Sequence, residues 1–134
     1  MSANLDLVRS IYADWERGDI LTAAEWAHPE IEFVIADGPE PGTWTGLAGM
    51  ARATREVVSA YEPYRLGATE FKELDRERVL VLDHQIGRAK TSGVDFGQIE
   101  TREATLFHIR RGKVTRLVRY LDRDRALADL GLEE

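Results

Sequence analysis

The chain has 134 residues, 43% of them hydrophobic and 31% charged, with a formal net charge of −6 and no cysteine. That length suits one domain with a real core and is too short for two. The absence of cysteine excludes a disulfide framework, a thiolate nucleophile and a Cys-based metal site. An acidic chain without a basic stripe is a poor match for a nucleic-acid backbone.

The N-terminus, MSANLDLVRS, lacks the basic and apolar regions of an export signal, and no apolar run approaches the roughly 20 residues that span a bilayer. A cytoplasmic protein with no membrane or nucleic-acid partner is expected. From about Ala3 to Arg17, Leu5, Val8, Ile11, Tyr12 and Trp15 recur at three- and four-residue steps, the stripe of an amphipathic helix. Ser2 or Asn4 can cap its start and Gly18 ends it. A second short helix is read over Ile20 to Trp26 and stops before Pro29, and Ile31 to Ile35 read as a strand. Asp37 to Thr43 is a turn-rich loop of prolines and glycines, followed by Trp44. A helix of about fifteen residues then starts near Leu47, with Leu47, Met50, Ala53, Val57, Val58 and Tyr61 on its apolar face.

From there the chain is mostly strand, over about 65–74, 78–90, 95–110 and 113–121, and ends in a helix from Arg123 to Leu130. This order predicts an α+β fold: a strongly curved antiparallel sheet with the first three helices on its concave face, forming a cone. Such cones hold small apolar ligands. His28, His84 and His108 are scattered without a ligand spacing, so neither metal nor cofactor is expected.

Several strings in this order resemble the nuclear transport factor 2-like superfamily, in particular its SnoaL-like branch. They are Arg17-Gly18-Asp19, Ala27-His28-Pro29-Glu30, Trp44-Thr45-Gly46, Arg111-Gly112-Lys113-Val114 and the tail from Asp122 through Ala126-Leu127 to Leu130-Gly131. The likeness covers nearly the whole chain and implies the cone. It leaves function open, because the superfamily mixes isomerases, cyclases, hydrolases, dehydratases and binders. The ketosteroid isomerase groups would fall at Ile11, Val34 and Thr105 and are missing, with Tyr12 and Asp37 nearby but out of step. The limonene-epoxide hydrolase positions look like Asp83, Gln85 and Arg119, with the charges rearranged. Asp122 stands nine residues before Gly131, as the acid of SnoaL-type cyclases does, but Val118 replaces their tryptophan.

Candidate groups follow from strand parity. Asp83 and Gln85 share one face of their strand and His84 the other. The superfamily's parity puts Asp83 and Gln85 inside the cone. Asp122 reads either as the N-cap of the last helix or as a catalytic base. A three-residue loop, Arg110-Arg111-Gly112, is expected because arginine rarely takes positive φ, and it sets Glu103 opposite Arg119 on the face of Thr105 and Phe107. A two-residue loop would instead set Glu103 opposite Tyr120, with Asp122 and Val118 on the same side.

Trp15, Trp26, Phe33, Trp44, Met50, Tyr61 and Phe107 are expected as apolar walls for a hydrophobic or aromatic metabolite, with Gln85, Glu103 and Thr105 as polar contacts. Asp122, Asp83 and Arg119, backed by Tyr12 and His84, are the groups expected to perform acid–base chemistry if the cone is an active site; a non-catalytic binding or interaction module is the alternative. Leu80, Leu82, Ile86, Leu106, Val118 and Tyr120 would lie on the outer face, which predicts a two-fold homodimer packed through it.

Overall fold

A computed structural model describes residues 2–17, 19, 25–38, 41–59, 65–91 and 94–132, with the backbone alone for 57–59, 65, 86–91 and 94–100. Helix α1 runs from Ala3 to Glu16 and is capped by Ser2, whose hydroxyl accepts from the Leu5 amide at 2.9 Å. Its stripe of Val8, Ile11, Tyr12 and Trp15 is buried, as the spacing predicts. The short helix read over Ile20 to Trp26 falls mainly outside the described residues. Trp26 itself is in a turn, and Ala27 already begins a strand.

That strand, β1 (Ala27–Ile35), pairs antiparallel with β2 (Gly42–Thr45) and parallel with β7 (Lys113–Tyr120). It starts four residues earlier than the apolar run suggests. Pro29 is accommodated because the pairing with β7 is interrupted between Ala27 and Glu32, where no amide is required of it. β2 was expected as loop; Trp44 lies directly opposite Phe33 within it. Helix α2 (Gly46–Ser59) follows, then β3 (Arg65–Glu73) and the long β4 (Arg78–Thr91). The single strand expected over 95–110 is two, β5 (Val94–Glu100) and β6 (Glu103–Arg110), which divide at Thr101-Arg102. Both pair with β4, β6 with its first half and β5 with its second.

The sheet order is β2-β1-β7-β6-β4-β3, with β5 on β4, so the sheet is mixed rather than antiparallel throughout. One face carries Val79, Val81, Phe107, Ile109, Val114 and Leu117 in a core shared with α1, and with Met50 and Ala53 of α2. The other carries Leu80, Leu82, Ala104, Leu106, Val118 and Tyr120. Helix α3 (Arg123–Asp129) lies on this second face, where Ala126 and Leu127 complete the cluster. Of the outer residues invoked for a dimer, Leu80, Leu82, Leu106, Val118 and Tyr120 are therefore covered within one chain, and the Ile86 side chain lies outside the described residues. Leu80 is 0% and Tyr120 8% exposed, and Leu121 at 37% is the exposed large hydrophobic among the described residues. A second copy is not needed to bury these side chains.

The β6–β7 hairpin closes with a two-residue loop, not three: Arg110 pairs with Lys113, and both Arg111 (φ 51) and Gly112 (φ 77) take left-handed backbone. Arginine accepts here a conformation it seldom adopts, because the two-residue turn that matches strand twist needs positive φ at both central positions. The register then slips by one residue. Ile109 pairs with Val114 but His108 pairs with Arg116, leaving Thr115 as a bulge whose hydroxyl bonds the His108 carbonyl at 3.3 Å. The slip restores the parity that the shorter loop would have changed, so Thr105 lies opposite Arg119 and Phe107 opposite Leu117.

Gly38 closes the end of β1 at φ 90, and a Cβ there would lie 2.4 Å from Leu121 Cδ1. Gly38→Ala is expected to lose about 1–2 kcal/mol, chiefly from left-handed backbone on an L-residue. Urea unfolding measures this, and an unchanged midpoint would mean that the turn re-forms without strain.

Candidate functional site

The register places four polar side chains on adjacent strands of the α1 face. Asp83 of β4 is opposite Glu103 of β6, and Thr105 of β6 is opposite Arg119 of β7. Two carboxylates facing each other repel, and Arg119 lies between them. Its guanidinium bonds Glu103 and stands 3.6 Å from Asp83 Oδ2. Asp83 is 0%, Glu103 1% and Thr105 0% exposed. A carboxylate pair this deeply buried depends on its partners.

Hydroxyls supply the remaining donors. Tyr12 of α1 donates to Asp83 Oδ2 at 2.5 Å and Thr105 to the same oxygen at 2.7 Å. Thr101, at the break between β5 and β6, donates to Glu103 Oε2 at 2.6 Å and accepts from the Gln85 amide at 3.0 Å. Asp83 Oδ1 is buried without a hydrogen-bond partner.

Burial pushes the Tyr12 phenol well above its usual value near 10, and the adjacent Asp83 charge adds to this, so Tyr12 is a neutral donor. A raised folded-state pKa contributes stability that is fully present below about pH 10 and is lost as pH rises beyond it. Tyr12→Phe removes a hydrogen bond to a charged group and is expected to lose about 1.5–3 kcal/mol near neutral pH. Because phenylalanine cannot ionise, this deficit should shrink above about pH 10. Denaturant titrations between about pH 7 and 11 measure it; a constant deficit would overturn the assignment.

An aromatic wall stands beside the acids. Tyr12 meets Trp15 edge-on at 4.8 Å, Trp15 meets Trp26 at 6.0 Å, and Trp15 stacks on Phe107 at 6.2 Å. Phe33 and Trp44 form a separate pair at 6.0 Å, with Trp44 only half-buried. Met50 and Phe33 are buried in the same core, and Tyr61 lies outside the described residues. The indole N–H of Trp26 is buried without a partner. Gln85 is buried, two residues along β4 from Asp83 and on the same face.

Two residues expected as catalytic stand apart from this cluster. Asp122 is exposed and caps α3, its carboxylate accepting from the Asp124 amide at 3.0 Å. His84 points to the opposite face from Asp83, half-buried, with Nδ1 3.3 Å from the Thr69 hydroxyl and Nε2 against Gly67.

Other residues matter that sequence reading did not single out. Thr101 falls within the single strand expected over 95–110 and lies instead at its break. Arg123, at the first position of α3, is buried and reaches back to the sheet. Its Nε donates to the Glu103 carbonyl at 3.1 Å and its Nη2 to the Asp83 carbonyl at 2.9 Å, so it grips the main chain of both acids. Asp37, also buried, accepts from the Leu121 amide at 2.7 Å and the Asp122 amide at 3.3 Å, tying the end of β1 to the approach to α3. The sequence signal for Arg123 was a basic residue where a helix first turn prefers acids.

An open groove of about 580 Å³ lies between the start of α1 and the β3–β4 turn, lined by Ser2, Asn4, Glu73 and Arg76 among others. It lies beside the start of β4, several residues before Asp83, and holds none of the buried acids. No group of three metal-ligating side chains occurs among the described residues, and no described helix is long and apolar enough to cross a membrane.

A curved mixed sheet with two helices on one face, and an acid–arginine cluster set into that face, defines an α+β cone. The chain has the nuclear transport factor 2-like fold, that of SnoaL-like proteins and of ketosteroid isomerase-like structures. No family model and no curated protein matches the sequence. Solved structures match along almost its whole length. An NTF2-like protein of unknown function from Burkholderia pseudomallei K96243 is 21% identical with a TM-score of 0.75, over 96% of this chain and 97% of that one. TerC, co-crystallised with polyporic acid, is 26% identical with a TM-score of 0.72, over 96% and 98%. A phenazine biosynthesis-related protein, PhzB2, from Pseudomonas aeruginosa is 16% identical with a TM-score of 0.75, over 98% and 87%.

Proposed function

We propose that the cone binds a small hydrophobic or aromatic metabolite and acts on it without a cofactor, with Asp83 moving the proton. Isomerisation, cyclisation, dehydration and hydrolysis are the reaction types that such a group serves. One observation carries the reading. Asp83 is a buried carboxylate whose Oδ2 takes two hydroxyls while Oδ1 has no partner. A base held by one oxygen and open at the other is oriented for proton transfer. Tyr12, Thr105 and Arg119 orient it, and Glu103 orients Arg119. The aromatic wall of Trp15, Trp26 and Phe107 suits a flat ligand. The likeness to TerC, which was crystallised with polyporic acid, supports the same ligand class.

The competing reading is a non-catalytic binding module. It is favoured by the same aromatics, since Trp15 at 7%, Trp26 at 5% and Phe107 at 0% exposure fill much of the interior themselves. A thermal-shift screen of aromatic and terpenoid metabolites, followed by product analysis, separates the two. Acid–base catalysis expects Asp83→Asn to keep ligand binding while turnover falls about 10²–10⁴-fold. Binding without any turnover by the wild-type chain would establish the module instead.

A further inference from the structure

Resting on the ligand-binding reading above, we infer that the ligand's polar end is a neutral hydrogen-bond donor, a phenolic or enolic hydroxyl, and not a carboxylate or phosphate. The balance of donors and acceptors around the acid pair leads there. Three hydroxyls reach the two carboxylates and each is committed, Tyr12 and Thr105 to Asp83 and Thr101 to Glu103. Arg119 is shared between the two carboxylates, and Arg123 is engaged with the main-chain carbonyls behind them. What the cluster still offers is Asp83 Oδ1, and an ionised carboxylate oxygen accepts but does not donate.

An anionic ligand group would meet that oxygen with like charge, in surroundings where water screens little. Both guanidiniums of the cluster already have partners. A hydroxyl instead gives the oxygen the donor that buried polar atoms normally have. The approach is from the side of Arg119, whose side chain is the most exposed of the ion-pair members at 11%, against 0% for Asp83 and 1% for Glu103.

Three bicyclic probes of similar size test this by calorimetry or ligand-observed NMR on the full chain near neutral pH. These are 2-naphthol, which donates; 2-methoxynaphthalene, which only accepts; and 2-naphthoate, which is anionic. The expected result is that 2-naphthol binds about ten-fold or more tightly than either of the others, a difference of about 1.4 kcal/mol. Asp83→Asn, which removes the charge, should bring 2-naphthoate to within about three-fold of 2-naphthol. If 2-naphthoate or 2-methoxynaphthalene binds the wild-type chain as tightly as 2-naphthol, the inference is overturned while the aromatic-binding reading stands. A preference that survives unchanged in Asp83→Asn overturns it as well, since Asp83 is then not its source. Should Asp83→Asn fail to fold, the wild-type comparison of 2-naphthol with 2-methoxynaphthalene decides. Failure of all three probes to bind at millimolar concentration would overturn the binding reading and this inference together.

Discussion

Arg119→Met is expected to lose about 3–5 kcal/mol of folding stability, toward the lower end because the guanidinium keeps some contact with solvent. Methionine matches the length of the arginine stem and packs against the same neighbours, so lost volume contributes little. The loss is electrostatic. Asp83 and Glu103 face each other across β4 and β6 at 0% and 1% exposure, and without Arg119 they lose their shared guanidinium and keep the hydroxyls of Tyr12, Thr105 and Thr101. Adding Asp83→Asn to Arg119→Met should recover part of the loss, because an amide leaves one buried charge instead of two. Urea unfolding of the wild type, both single variants and the double variant forms a complete cycle. Additive effects of the two substitutions would show that Arg119 does not hold the pair.

Arg123→Met should have an effect of comparable size from the other side of the sheet, about 2–5 kcal/mol. Two buried carbonyls, those of Asp83 and Glu103, lose a charged donor each, and leaving a buried polar group unpaired costs about 1–3 kcal/mol. These carbonyls belong to the last residue pair of the β4–β6 ladder, where the guanidinium substitutes for the strand pairing that ends there. Lysine at this position carries the charge but not the two-pronged donor geometry, so Arg123→Lys should recover less than half of the loss. Amide hydrogen exchange around Asp83 and Glu103 should accelerate in both variants. Unchanged exchange there, with stability lost elsewhere, would show that Arg123 acts through the packing of α3 alone.

The parts of this molecule that repeat were legible in the sequence. The α1 stripe gave Val8, Ile11, Tyr12 and Trp15 their burial, and alternation along β4 and β6 put Asp83, Glu103, Thr105 and Phe107 on one side. Interruptions of pattern were not legible. Thr101-Arg102 looks no different from a strand interior, because what divides β5 from β6 is a change of position along β4, a tertiary event. Pairing of β1 with β7 joins segments far apart in the chain, and no local spacing records it. Arg123 is expected only as the start of the last helix, since nothing in the order Asp-Arg-Asp shows that the strands ahead leave two carbonyls to be met. Expecting Asp122 as a base came from its place relative to Gly131. Its actual part as a helix cap was the simpler consequence of the same residues.

The single extra residue at Thr115 works as a phase shift along β7. Before it Val114 faces the α1 side; after it Leu117 and Arg119 do, three and five positions on rather than two and four. Strict alternation with Thr115 kept in line would instead exchange inside for outside beyond it. Val118 and Tyr120 would then be carried toward the acid pair and Arg119 toward α3. Deleting Thr115 removes the extra residue itself, and Leu117 and Arg119 are then expected to stay on the α1 side, two and four positions beyond Val114.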